Sequence, residues 1–199
     1  MLTFEITGNL IKDILVFAVA PAIFVYLFGQ FKEFKNRNEE RLAVLNALHA
    51  EISTLDMLIC SREEQYVQVV SNHSNQTFFP YISITLNYFA VFDNMSAKFG
   101  LINNQAAIEQ IIKCYAEIKG LFDDVKNLEY YAKYIVLFYD QSQKEIFISN
   151  YRRNLEDIVK VQLPKVKILI KQSKECITKE RNRINSKNTI GTFLLGDVF

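Results

Sequence analysis

Hydrophobic positions along this chain follow two regimes: one charge-free run near the start, then long stretches in which apolar residues recur every three or four positions. The run ILVFAVAPAIFVYLFG occupies residues 14–29. As a helix rising about 1.5 Å per residue it covers roughly 24 Å, against a hydrocarbon core of about 30 Å. Leu10, Ile11, Phe31 and Phe34 lengthen the apolar stretch, and the stems of Lys12 and Lys32 reach toward headgroups. The pattern predicts a membrane-spanning helix through Ile14, Phe17, Pro21, Phe24, Tyr26, Leu27 and Phe28. Pro21 does not oppose it, because proline is better tolerated in membrane helices than in soluble ones. The competing readings are a buried core helix and a cleaved signal peptide. The second lacks a basic segment before the run, and its A-x-A site at 18–20 lies inside the apolar core.

Beyond the run, Leu45, Leu48, Ile52, Leu55 and Ile59 form a 3-4 helical seam. No glycine or proline occurs from 30 to 79, so the anchor is expected to continue as one rod, solvated at Asn38 and Arg41 and packed from about Leu42. The polar stretch SNHSNQTFFP, 71–80, reads as a loop. Residues 81–89 alternate like a strand, yet Leu86, Phe89, Phe92 and Phe99 suit a helix capped by Gly100, and helix is chosen because no second strand is evident. Asn103 or Asn104 then starts a long helix carrying Ile108, Ile111, Tyr115, Ile118, Phe122 and Val125. A last amphipathic stretch carries Leu155, Ile158, Val166, Leu169, Ser173 and Ile177, and Pro164 is expected to kink or divide it. The predicted fold is all-α: a transmembrane helix, then a cytoplasmic antiparallel bundle of three to four long helices. The boundaries read as anchor and linker over 1–35, bundle over 36–187 and apolar tail over 188–199.

Charge sharpens this picture. Net charge is +1, but 160–187 carries nine Lys or Arg against two acids, whereas 1–159 carries 14 against 19. The basic helix is expected to pair with its own bundle, the alternatives being anionic lipid or, less favoured, nucleic acid. Lys32, Lys35, Arg37 and Arg41 follow the apolar run and Lys12 alone precedes it, so the positive-inside rule places the C-terminal domain in the cytoplasm. The sequons at Asn72, Asn75 and Asn94 carry no weight there. Three widely spaced cysteines read as reduced, mostly buried thiols.

Catalytic patterns are missing. His49 and His73 share no helical face, and the adjacent Asp123 and Asp124 diverge by about 100°. No phosphate-binding loop or nucleophile elbow occurs. The expectation is no enzyme activity, no cofactor and no metal. Aromatic residues are abundant, with ten Tyr and sixteen Phe, and core filling is their ordinary role. The EYYAKYIVLFY stretch is the best candidate for an exposed cluster. Tyr130, Tyr131 and Tyr134, with Lys171, Lys174, Arg181 and Arg183, are the candidate interaction surface. The tail NTIGTFLLGDVF is too short to span and is expected to dock on the bundle, with membrane or partner contact as the alternative.

An N-terminal anchor, a basic linker, the RLAVLNALHAEISTL helix and then FDNMSAKFGLINNQAAIEQIIKCYAEIKGL resemble uncharacterised small bacterial single-pass membrane-anchored helical proteins, some from phage-defence or prophage settings. The likeness covers about 41–121. It implies an architecture and a bacterial inner-membrane address, and no catalytic residue. Two functions follow as expectations. One is a tethered module holding a cytosolic protein partner or a second copy at the bilayer; the other is a membrane-perturbing effector whose short span oligomerises when triggered.

Overall fold

The computed structural model describes residues 20–71, 88–137 and 140–196. Ile14 and Phe17, the loop at 72–80 and the ambiguous stretch 81–87 lie outside them, as do the side chains of Pro21, Phe24 and Tyr134. The described chain is helical, without a strand: α1 (Ala20–Ser71), α2 (Ala90–Met95), a 3-10 segment (Ser96–Leu101), α3 (Gln105–Leu137), α4 (Gln141–Asp157), a π-helical segment (Ile158–Gln162) and α5 (Leu163–Gly196).

Helix α1 is 52 residues long, about 78 Å at 1.5 Å per residue. Its seam residues Leu45, Leu48, Ile52, Leu55 and Ile59 are buried against Ile111, Tyr115, Ile118 and Val125 of α3 and Val166, Ile170 and Ile177 of α5. Each such aliphatic side chain contributes on the order of 1.5–3 kcal/mol. Cross-helix pairs fix the chain directions. Glu63 meets Lys167 at 2.8 Å and Asp56 meets Lys174 at 2.6 Å, so a step along α1 is matched by an equal step back along α5. Glu117 meets Lys165, and the Ser173 hydroxyl donates to the Gln110 carbonyl, so α3 also runs opposite to α5.

The rod packs earlier than its polar sequence suggests. Asn38 is buried, and Arg41 donates to Asn38 at 3.3 Å and to Asn103 at 3.0 Å, tying α1 to the connection before α3. Asparagine and arginine at seam positions reach partners here rather than water.

The expected helix ending at Gly100 is replaced. Residues 90–101 form a short α-helix followed by a 3-10 turn that runs through Gly100 to Leu101. A tertiary contact explains the start: the Glu51 carboxylate accepts the Val91 and Phe92 N–H groups at 2.7 and 3.0 Å, satisfying donors that α2 leaves open. Asn104 then caps α3 as read, its side chain accepting the Ala107 N–H.

Pro164 does not divide the last stretch. The N–H of Leu163 donates to the carbonyl of Ile158, five residues back, and the helix continues through proline to Gly196. Proline lacks an N–H and crowds the carbonyl four residues before it, and the wider π turn relieves that conflict. The tail expected to begin at 188 is continuous with α5 as far as Gly196. Near the N-terminus, one helix is long and apolar enough, by length and composition, to cross a membrane.

Candidate functional site

Beside the π segment lies a cleft of about 430 Å³ between α3 and α4, lined by Asp124, Asn127, Tyr130, Tyr131, Asn154, Asp157 and Gln162. Asp124, Asn127 and Tyr131 recur at helical spacing on α3, which brings them to one face. Asn154 and Asp157 do the same on α4. Gln162 ends the π segment and donates through one nitrogen to Asp124 at 2.7 Å and to Asp157 at 2.9 Å. Neither aspartate has a Lys, Arg or His partner among the described residues, whereas Glu40, Asp56, Glu63, Asp93 and Glu117 each pair with a lysine distant in sequence. Tyr131 packs on Phe147 at 6.0 Å between centroids, and the half-exposed Tyr130 meets its edge at 6.2 Å.

Two of the tyrosines read from the sequence therefore do line a surface concavity. The basic residues grouped with them do not. Asp124 bonds to Gln162 while Gln110 accepts from Ser173, so the level of Lys174 lies about 20 Å along α3 from the cleft. Lys174 is paired with Asp56, Arg183 with Glu180 at 2.7 Å, and Lys171 is exposed. Arg181 and Lys174 face His49, and after partial burial their charges hold its pKa below the ordinary value. The basic helix thus meets acids of its own chain, as expected. Sequence reasoning set Asp124 aside because it diverges from adjacent Asp123, and missed Asn127, Asn154, Asp157 and Gln162. The five-position step from buried Ile158 to buried Leu163 that marks the site is hidden in the sequence by Val159 and Val161.

A second exposed feature is the start of α1. Ile23, Val25, Tyr26, Leu27 and Phe28 are all more than half exposed. Below them Lys35 and Arg37 make long contacts to Glu39 and Glu33, and Lys32 is exposed.

Among the described residues no group of three or more His, Cys, Asp or Glu could hold a metal. Burial pushes the Cys114 thiol up to about 11, unlike an activated nucleophile. Cys60 is exposed and Cys176 half-buried, so the thiols are less uniformly buried than expected. Compared with known protein families, curated proteins and solved structures, the chain matches none.

Proposed function

We propose that this protein is a non-enzymatic, membrane-tethered interaction module. Its apolar N-terminal segment spans a bacterial inner membrane once, and an antiparallel helical bundle on the cytoplasmic side holds a protein partner there. The observation that carries this reading is the exposure of Ile23, Val25, Tyr26, Leu27 and Phe28 on a helix whose later turns bury one face. A water-soluble helix does not ordinarily leave such a patch uncovered. Exposed Lys32, Lys35 and Arg37 just after it support the cytoplasmic side. Helix α5 runs opposite to α1, so its apolar C-terminal sequence ends toward the same membrane-facing end.

The test is fractionation of bacteria expressing the full chain beside a version starting at Gln30, with alkaline carbonate washing of the membranes. The full chain is expected to stay in the washed membranes and the shortened chain to be released. Release of both would overturn the tether. Membrane potential recorded in the same cells addresses the effector reading: depolarisation by the full chain alone would replace a passive tether with membrane perturbation.

A further inference from the structure

We propose that the cleft at the π turn is a binding site for an organic cation, a primary ammonium or a guanidinium group. The inference does not depend on the membrane reading, because every residue in it belongs to α3, α4 and the π segment.

The argument rests on what converges there. The cleft's volume of about 430 Å³ lies in the range of small-ligand sites, which combine a concave shape with a few placed polar groups. Two carboxylates, Asp124 from one helix and Asp157 from another, are drawn together by the same Gln162 nitrogen. That amide is neutral, so it orients the pair without cancelling its charge. Where this chain brings Asp56, Glu63 and Glu117 against α5, it supplies a lysine; here it supplies none among the described residues. An arriving ammonium has three N–H donors and a guanidinium five, and each would find acceptors on both aspartates, with the amide oxygens of Asn127 and Asn154 in reach of the same cleft. Tyr130 and Tyr131 add aromatic walls, and ring faces attract such cations by about 0.5–2 kcal/mol.

A divalent metal fits less well. The position between the two carboxylates is held by an N–H donor, and no third acidic, histidine or cysteine ligand joins them among the described residues. An anion is excluded by the two aspartates.

The same chemistry is available from a free polyamine or from a Lys or Arg side chain of a bound protein, and titration separates them. The full chain, held in detergent, is titrated by calorimetry with spermidine, with a short Lys- and Arg-containing peptide, and with Ca²⁺. Saturable binding of spermidine or the peptide is expected, weakened at least about tenfold, or 1.4 kcal/mol, by Asp124→Asn and by Asp157→Asn. Tyr130→Ala should weaken it several-fold and Tyr130→Phe should leave it nearly unchanged. These near-isosteric Asp→Asn changes are checked by thermal melting, so lost binding is not mistaken for lost fold. Tighter spermidine binding assigns the free polyamine; tighter peptide binding assigns a protein side chain. Absence of saturable binding by both, binding insensitive to both Asp→Asn variants, or Ca²⁺ binding that neither organic cation displaces would overturn the proposal.

Discussion

Glu51 shows how one side chain turns a sequence ambiguity into structure. It accepts two backbone N–H groups from α2 and the Tyr115 hydroxyl at 2.7 Å, joining three elements. Phe92 stacks on Tyr115 at 4.0 Å, and Lys119 lies 5.2 Å over the Phe92 ring while pairing with Asp93. Hydrogen bonds to a carboxylate contribute about 1.5–3 kcal/mol, so Tyr115→Phe should lower unfolding free energy by about 1.5 kcal/mol. Glu51→Ala also strands the α2 donors and should cost about 3 kcal/mol. The double variant should cost little more than Glu51→Ala alone, because both changes act on one network. Urea denaturation of the three variants tests this, and simple additivity would contradict it.

At the scale of the element, the π turn reconciles two demands. The buried positions Tyr151, Leu155 and Ile158 on one side and Leu163, Val166 and Ile170 on the other must face the same core. A five-residue step in an α-helix would leave Leu163 about 140° off that face, whereas the π turn brings it back. Deleting Val161, which is exposed, leaves a four-residue step that an ordinary α-helix can carry. That variant should stay folded but lose about 3 kcal/mol, because Pro164 then sits in an unrelieved α-helix, while deleting the exposed Ile112 of α3 should unfold the body by rotating all later positions about 100°. Circular dichroism melts distinguish the two outcomes. Equal damage from both deletions would show that the π turn does not set the register.

The whole molecule carries a pH response in its core. Burial pushes Tyr151 up to about 12 and Cys114 up to about 11. Burial also raises Tyr66, and Tyr115 is raised by burial and then by its bond to Glu51. These groups hold their protons more tightly folded than unfolded. The unfolded chain releases them near pH 9–10, so their stabilisation is complete below that range and is lost as pH rises through the folded values. The urea midpoint should stay level from pH 7 to about 9 and then fall, each group adding up to about 1.4 kcal/mol per pH unit. His49 acts oppositely: its folded pKa is lowered, so its contribution is present above about 6.5 and lost as pH falls. A midpoint rising from pH 9 to 11 would contradict the burial of these groups.

The sequence by itself determined the helical class, the seam of α1, the cap at Asn104 and the apolar run near the start, because periodicity, capping and hydropathy are local properties of neighbouring residues. Its asymmetry of charge also anticipated the pairing of α5 with acids of its own chain, since opposite charges brought together in a body this size find one another. Only the tertiary structure decided that 90–101 becomes a short helix held by Glu51, that Arg41 and Asn38 join the packed region, and that Pro164 is absorbed without a break. It alone brought Tyr130 and Tyr131 to Asp124 and Asp157 and left Lys174 and Arg183 elsewhere. Most of those outcomes depend on which side chains meet between separate helices, and no local pattern encodes that meeting.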